Sequence, residues 1–198
     1  MKEQTDTLTY YDTHADAFAA STVDVDFSET QERFERLLSP GASILDFGCG
    51  SGRDSLRFLR DGFKVTAIDG SAELCAYAER LTGLKVRHEL FQELEDVDAY
   101  DGIWACSSIL HVPKAELADV FKRMRRALKD RGVIYTSFKY GNFEGMRSGR
   151  YFSDFTEESF GAFLGSMGGL TLEDNWVSSD VRAGRENEWW INLVVRRV

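Results

Sequence analysis

Short apolar runs and amphipathic segments alternate along most of the chain. The apolar runs are bounded by glycine, proline or charged residues and have the length of buried strands. They lie at 43–47, 64–68, 85–89, 101–106 and 133–138. The segments between them carry apolar residues at helical spacing, at 53–61, at 71–82 and from Pro113 to Gly132. Alternating strands and helices predict a parallel sheet that is covered by helices on both faces.

The N-terminal part of the chain is helical in pattern and contains no strand signal. Residues 10–20 have helical apolar spacing with an aromatic start. The sequence Ser28-x-x-Gln31 is typical of a capping box, and it predicts a second helix that ends before Pro40. Two helices are therefore expected ahead of the first strand.

The C-terminal part breaks the alternation of strands and helices. Two strands are predicted at 170–177 and 189–196 with no helix between them. Strands joined in this way run antiparallel, so one strand near the C-terminus is expected to oppose the others. The predicted fold class is α/β, a doubly wound and mostly parallel sheet of seven strands. We expect one domain over 1–198, with a helical segment over 1–40 and a sheet core over 41–198.

Composition narrows the partners that such a domain is expected to have. The chain has 198 residues, 43% of them apolar, and a formal net charge of −9. This negative charge argues against an extended phosphate-binding surface, so nucleic acid is not expected as a partner. No apolar signal segment and no run of membrane-spanning length is visible, so we expect a cytoplasmic protein without membrane contact. The oligomeric state, monomer or homodimer, stays open. Three cysteines without paired spacing predict reduced thiols, and three scattered histidines predict no metal site.

The stretch from Ser43 to Asp54, Ser-Ile-Leu-Asp-Phe-Gly-Cys-Gly-Ser-Gly-Arg-Asp, carries the strongest chemical signal. It predicts a strand, a glycine-rich turn and the start of a helix, and a second strand then ends at Asp69. This arrangement builds a nucleoside-binding crevice at the carboxyl ends of parallel strands. Glycines in the turn let the backbone approach a ligand closely, and Asp69 is placed to accept hydrogen bonds from both hydroxyls of a ribose.

The glycine spacing favours one of two nucleoside cofactors. A dinucleotide site requires Gly-x-Gly-x-x-Gly, and counted from Gly48 the third glycine of that pattern is replaced by Arg53. The glycines instead alternate after an acid, as Asp46-x-Gly-x-Gly-x-Gly. This pattern resembles the first motif of the class I S-adenosylmethionine-dependent methyltransferases. A reductase that binds a nicotinamide cofactor and a purely structural glycine turn remain as alternatives.

The resemblance implies a Rossmann-like methyltransferase fold with S-adenosylmethionine as cofactor and S-adenosylhomocysteine as product. In that family the glycine loop cradles the methionine half of the cofactor, the second strand's acid holds the ribose, and an aromatic N-terminal lid closes over the site. The cofactor-binding residues implied here are Asp46, Gly48, Cys49, Gly50, Arg53, Asp69, Gly70, Ser71, Phe91, Gln92, Ala105, Cys106 and, on the lid, Tyr11. Two of these assignments have alternatives. Arg53 is also typical of a solvated arginine on a helix, and Tyr11 could instead anchor the first helix to the core.

The position of His111 makes it the candidate general base. It follows the fourth strand, whose end faces the crevice, and the ordinary pKa of a histidine suits proton removal near neutrality. The alternative is that His111 packs beside the cofactor or caps the helix at Pro113. No Pro-Pro or Pro-Cys pair is present, so the motifs typical of DNA amino-group and cytosine C5 methylases are missing.

Two loops on the same side of the predicted sheet concentrate arginine and aromatic residues. The candidate substrate-binding residues are Arg150, Tyr151, Arg182, Arg185 and Trp189. Guanidinium groups bind carboxylate and phosphate, so these loops predict a small acceptor of polar or anionic character. The alternative is that the arginines pair with the acidic residues around them.

The stretches 100–113 and 189–195 look closest to small bacterial methyltransferases related to tellurite-resistance proteins. Two other functions stay open at the level of sequence. One is a module that binds a nucleotide cofactor or a partner without catalysis, and the other is methylation of a macromolecule.

Overall fold

A computed structural model describes residues 2–182 and 184–198, so Met1 and Ala183 of the predicted domain lie outside the described residues. The helices are α1 Lys2–Thr13, α2 Ala15–Thr22, α3 Ser28–Glu35, α4 Arg53–Arg60, α5 Ala72–Thr82, α6 Lys114–Ala127 and α7 Glu157–Gly165. The strands are β1 Ser43–Phe47, β2 Lys64–Asp69, β3 Arg87–His88, β4 Tyr100–Ala105, β5 Leu128–Lys139, β6 Glu144–Arg147, β7 Arg150–Ser153, β8 Leu170–Ser179 and β9 Trp189–Arg197. Within these ranges, no helix has both the length and the apolar character needed to cross a bilayer.

Seven of the strands form one sheet in the order β3-β2-β1-β4-β5-β9-β8. The first five are parallel, and β9 runs antiparallel to both β5 and β8. The predicted fold class is confirmed, including the single antiparallel strand near the C-terminus. The strand order reverses between β1 and β4, which opens a crevice at the carboxyl ends of these two strands.

Successive residues of the central strands pack into two separate cores. On one face, Leu45 and Ile103 belong to a large aliphatic and aromatic cluster that includes α6 and α7. On the other face, Trp104 is fully buried and stacks on Tyr135 with a centroid distance of 4.1 Å, against Phe34 of α3. Burial on both faces explains why these strands are nearly continuous apolar runs.

Three predictions for the helices are wrong. Residues 10–20 do not form one helix, since α1 ends at Thr13 and α2 begins at Ala15, so three helices precede β1. In the other two cases a tertiary contact outweighs a local signal. The predicted capping box at Ser28 does not form, since the helix is preceded by Phe27 without a side-chain cap and Gln31 hydrogen-bonds to Asp54 instead. The helix predicted to reach Gly132 ends at Ala127. Leu128 already pairs with a residue of β4, and a register shift then places Gly132 inside the strand.

The segment after β5 folds into a hairpin that the sequence pattern did not reveal. Strands β6 and β7 are joined by a turn of two residues, Ser148 and Gly149, with φ angles of 50° and 79°. Positive φ at both positions is the conformation of a type I′ turn. The hairpin packs against α1, since the Tyr151 amide donates to Thr7 Oγ1 at 2.9 Å and Tyr10 lies over Gly149. Helix α1 and the hairpin together border the crevice.

Candidate active site

A cleft of about 900 Å³ lies at the carboxyl ends of the parallel strands. Its walls come from α1, the glycine turn after β1, the loops after β2, β4 and β5, the β6–β7 hairpin and the β8–β9 loop. This volume is within the range of clefts that bind small molecules, roughly 300–1,000 Å³. The candidate site residues that line the cleft are Tyr11, Gly48, Cys49, Gly50, Arg53, Asp69, Gly70, Phe91, Gln92, Cys106, His111, Arg150, Arg182, Arg185 and Trp189.

The glycine turn is held in place by its backbone and leaves no room for a side chain at Gly48. The amides of Gly48 and Cys49 donate to the carbonyl of Ile68 at 3.0 and 2.9 Å. Gly48 has a φ of 89°, and a Cβ atom there would lie 2.4 Å from the Cβ of Ser108. A Cβ at Gly50 would lie 3.1 Å from the ring of Phe18. The turn therefore presents bare backbone to the cleft.

Asp69 ends β2 at the wall of the cleft and ties the glycine turn to the next helix. Its Oδ2 atom accepts from the Gly50 amide at 2.8 Å, and its Oδ1 atom accepts from the Ser71 amide at 2.9 Å. Each carboxylate oxygen has a second lone pair, so both remain able to accept from a ligand. Burial raises the pKa of Asp69 above its ordinary value, while these two amides favour the ionised form.

Two more carboxyl groups, those of Asp46 and Asp54, lie close to the turn. Asp46 is 2% exposed and accepts from Ser55 Oγ at 2.6 Å, and it is not among the residues that line the cleft. Asp54 accepts from Arg53 at 2.7 and 2.9 Å, from Gln31 at 2.7 Å and from Trp104 Nε1 at 2.8 Å.

The two buried carboxyl groups have opposite protonation at neutral pH. Burial and the nearby charge of Asp54 raise the pKa of Asp46 to about 8. Burial also raises the pKa of Asp54, but the charge of Arg53 and the hydrogen bonds to Asp54 outweigh it and lower that pKa. Asp54 is therefore ionised and Asp46 is protonated, because two adjacent buried carboxylates are unfavourable.

Arg53 forms a bidentate ion pair with Asp54, and this pairing changes both interpretations of the arginine. Its guanidinium is mostly buried, lies over the ring of Phe27 at 4.9 Å, and borders the cleft. Arg53 is therefore not a solvated helix arginine. Its main partner is a residue of the protein, and contact with a cofactor carboxylate stays a prediction.

His111 is locked between two partners and is a weaker base than its sequence position suggests. Its Nδ1 atom lies 2.6 Å from the carbonyl oxygen of Tyr151, which only accepts, so we place the ring proton on Nδ1. Its Nε2 atom then accepts from the hydroxyl of Tyr11 at 2.8 Å. Burial lowers the pKa of His111 to about 4. The expectation of a histidine that titrates near neutrality is wrong, because α1 and Phe152, whose ring lies 4.9 Å away, cover the imidazole.

Two of the predicted substrate arginines are neutralised by acids of their own loop. Arg182 donates to Asp180 at 2.9 and 2.6 Å, and Arg185 lies 3.7 Å from Glu188. The alternative interpretation of pairing with nearby acids therefore holds for both. In the described part of the chain, Arg150 makes no ion pair with a carboxylate.

The side chain of Tyr151 points away from the cleft. Its hydroxyl donates to Glu144 at 2.9 Å, and its backbone carbonyl contributes to the site through its hydrogen bond with His111. Trp189 is 53% exposed at the mouth of the cleft.

Of the residues predicted to lie close to the adenine and the ammonium group of the cofactor, some line the cleft and others are buried behind its wall. Phe91 lines the cleft and packs on Phe47 with a centroid distance of 4.7 Å, and Gln92 Nε2 donates to Glu116 at 3.1 Å. Ser71 is 1% exposed and caps α5, and Ala105 is fully buried in β4. Neither of these last two is among the cleft-lining residues.

Several residues that shape the cleft had no signal in the sequence. Asp12 of α1 accepts from Ser71 Oγ at 2.6 Å and so joins the N-terminal helix to α5. Ser137, Ser178 and Asn192 line the cleft from the ends of β5, β8 and β9. These contacts join segments that are far apart in the chain, and a local pattern does not predict them.

The strand order of the sheet and the cleft at the carboxyl ends of its parallel strands match the Rossmann-like methyltransferase fold. Residues 44–132 match the model of the family Methyltransf_25, described as a methyltransferase domain. These findings support the predicted enzyme class and cofactor. They do not confirm the predicted relationship to the tellurite-resistance group.

Two curated relatives each match about half of the chain. The chain is 30% identical over 116 residues to a protein named as the methyltransferase YqeM of Bacillus subtilis, covering 53% of this chain and 47% of that protein. It is 34% identical over 110 residues to the ubiquinone biosynthesis O-methyltransferase of Xanthomonas oryzae pv. oryzae, covering 52% of this chain and 45% of that protein. The matched region thus spans about half the length of these relatives.

Solved structures of methyltransferases share the whole fold. The 1,6-didemethyltoxoflavin-N1-methyltransferase of Burkholderia thailandensis, with bound S-adenosylhomocysteine, superposes with a TM-score of 0.76 and 21% identity over 96% of this chain and 85% of its own. The magnesium protoporphyrin IX methyltransferase of Synechocystis PCC 6803, also with bound S-adenosylhomocysteine, superposes with a TM-score of 0.70 and 17% identity. That match covers 96% of this chain and 97% of the other. At these identities the likeness concerns the fold alone.

Proposed function

We propose that this chain binds S-adenosylmethionine in the cleft and transfers its methyl group to a small, polar or anionic molecule, leaving S-adenosylhomocysteine. The observation that carries the proposal is the shared cleft. The glycine turn and Asp69 form one end of it, and the loops after β4, β5 and β8 form the other. A nucleoside cofactor and an acceptor can therefore meet within one enclosed volume.

The residues at the glycine turn fit such a cofactor. A side chain at Gly48 would clash with Ser108, so at this position the turn offers its backbone alone. Asp69 keeps a lone pair on each oxygen for the two ribose hydroxyls, and Phe91 supplies an aromatic face close to the turn. When bound, the cofactor supplies an electrophilic methyl group on a positively charged sulfur.

In the reaction, a lone pair of the acceptor forms the new bond to the methyl carbon while the carbon–sulfur bond breaks and its electrons pass to sulfur. The chain contributes position and exclusion of water. Tyr11 closes the cleft by its hydrogen bond to His111, and Arg150 donates to the same hydroxyl at 3.3 Å. His111, with a pKa of about 4 and its Nε2 atom occupied, is not a strong base. The acceptor is therefore one that is already ionised or that loses its proton after transfer.

A small acceptor is favoured by the lining at the far end of the cleft. Ser137, Ser178 and Asn192 offer hydroxyl and amide groups there, and Tyr140 and Trp189 border the mouth. Such a mixture suits a compact molecule with several hydrogen-bonding groups. The single-domain division, the cytoplasmic location and the oligomeric state stay predictions.

The first test is calorimetric binding of S-adenosylhomocysteine to the wild type, to Asp69→Ala and to Asp130→Ala, an exposed acid outside the cleft. Loss of the charge-assisted hydrogen bonds should cost Asp69→Ala about 1.5–3 kcal/mol of binding and leave the Asp130 variant unchanged. Unchanged affinity of Asp69→Ala would contradict the proposed ribose site. NADH binding in preference to S-adenosylhomocysteine would favour a reductase.

The second test follows labelled methyl from S-adenosylmethionine into a bacterial extract separated by size. We expect label in the small-molecule fraction. Label in protein or RNA would contradict the proposed acceptor class and keep the cofactor site. Cofactor binding without any transfer would favour a binding module over an enzyme.

A further inference from the structure

Apart from Arg53 beside the glycine turn, five cationic side chains line the cleft, and four of them have an acidic partner. These four side chains make five ion pairs: Lys139 with both Asp180 and Glu188, Arg147 with Asp154, Arg182 with Asp180, and Arg185 with Glu188. Arg150 is the fifth. Over the described ranges, 2–182 and 184–198, no carboxylate lies within ion-pair distance of it.

Among the described residues, the guanidinium of Arg150 donates one hydrogen bond, from Nη1 to the Tyr11 hydroxyl at 3.3 Å. Its Nε atom is buried and has no hydrogen-bond partner among the described residues. The guanidinium carbon lies 4.6 Å from the ring centre of Tyr10, 5.2 Å from that of Phe152 and 5.7 Å from that of Tyr11. Aromatic faces stabilise the charge but do not accept its in-plane N–H groups. A buried donor without an acceptor is costly, so the site is incomplete without a ligand that accepts.

The backbone holds Arg150 rigidly at this point. It is the first residue of β7 and directly follows the tight turn at Gly149, where Tyr10 packs closely over the backbone. The next residue is bound to Thr7 of α1 and, through its carbonyl, to His111. Arg150 is thus positioned by three segments that all border the cleft.

We infer that Arg150 is the receptor for an oxyanion of the methyl acceptor, so that the acceptor carries a carboxylate or phosphate group. A planar guanidinium presents parallel N–H donors that match the two oxygens of such a group. The neutralised Arg182 and Arg185 do not share this role. The inference rests on the proposed function and names the chemistry of its acceptor.

The direct test titrates inorganic phosphate and benzoate into protein saturated with S-adenosylhomocysteine, with the heat of binding as readout. We expect the wild type to bind at least one of them below about 10 mM. Arg150→Gln should weaken that binding about tenfold or more, and Arg150→Lys should retain part of it because the charge remains. Arg185→Gln and the exposed Arg60→Gln should behave as the wild type, which controls for net charge.

Three outcomes would overturn the inference. These are no anion binding by the wild type, equal weakening in Arg185→Gln, and a parallel loss of S-adenosylhomocysteine binding in Arg150→Gln. The last would mean that Arg150 holds the carboxylate of the cofactor, and unchanged cofactor affinity also shows that the variant is folded.

The chemical nature of the labelled product tests the same inference independently. Mass spectrometry should find a carboxylate or phosphate group in it, and a product with neither group would contradict the inference. If no label is transferred and S-adenosylhomocysteine does not bind, the proposed function fails. The anion titration on the free protein then still decides the role of Arg150.

Discussion

Replacing Asp46 by asparagine tests whether this buried carboxyl group carries a proton at neutral pH. Asp46 lies beneath the glycine turn, hydrogen-bonded to Ser55 and close to the ionised Asp54. Asparagine has nearly the same shape as a protonated aspartate and carries no charge. The substitution should therefore mimic the form of Asp46 present in the folded protein at pH 6.

The expected size follows from the two pKa values of Asp46. Its pKa is about 8 in the folded protein, raised chiefly by burial, and 3.8 without that environment. Between these values the folded state holds a proton that the unfolded state releases. The free energy of unfolding therefore falls as pH rises and levels off above about pH 8. From pH 6 to pH 9 the wild type should lose about 3 kcal/mol through this group.

The assay is urea unfolding of the wild type and Asp46→Asn at pH 6, 7, 8 and 9. The stability difference between the two proteins isolates Asp46 from other groups that titrate in this range. It should shift in favour of the variant by about 3 kcal/mol across the series. Parallel stability curves would refute the reasoning, since they would mean that Asp46 does not titrate there.

Asp54→Asn is the matched control, because the same change at the neighbouring carboxyl group should act in the opposite way. Asp54 is ionised and bound by Arg53, Gln31 and Trp104. Removing its charge leaves a mostly buried guanidinium without its partner, which should cost about 3–5 kcal/mol at every pH tested. If Asp54→Asn were the tolerated variant, the assignment of the proton within the pair would be reversed.

Three further predictions concern the cleft. Gly48→Ala should weaken the binding of S-adenosylhomocysteine more than tenfold in calorimetry, because the new Cβ atom would clash with Ser108. Gly41→Ala is the control, since Gly41 also has a positive φ but no atom lies within 4 Å of a Cβ built there, and its affinity should be unchanged. The rate of methyl transfer should show no inflection from His111 between pH 5.5 and 8, because burial lowers its pKa to about 4; an inflection near 6.5 that disappears in His111→Asn would contradict this. Tyr11→Phe should lower the free energy of unfolding by about 1–2 kcal/mol through the lost hydrogen bond to His111, and Tyr10→Phe, compared in the same urea titration, should not.

The alternation of strands and helices was predictable because it depends on local periodicity. A strand repeats its pattern every two residues and a helix every 3.6, so a short window of sequence contains the signal. The glycine turn and the acid at the end of β2 were predictable for a related reason. Their spacing along the chain is itself the geometry of the turn, and both lie within 43–69.

Element boundaries were decided by the partners that each segment meets. The helix before β5 ends early because Leu128 pairs with Tyr100 in the neighbouring strand. The β6–β7 hairpin depends on contact with α1, more than 130 residues away in the chain. Pairing energies of this kind override local propensity, and sequence patterns do not contain them.

By itself, the sequence determined the α/β architecture, the glycine turn with the acid at the end of β2, and the class of cofactor. Only the tertiary structure decided which charges are present in the cleft. It raised the pKa of Asp46 in the layer beneath the cleft, lowered that of His111, paired Arg182 with Asp180 and, among the described residues, left Arg150 without an acidic partner. The physical reason is that protonation and ion pairing depend on burial and on distances of a few ångströms between residues that are remote in the chain.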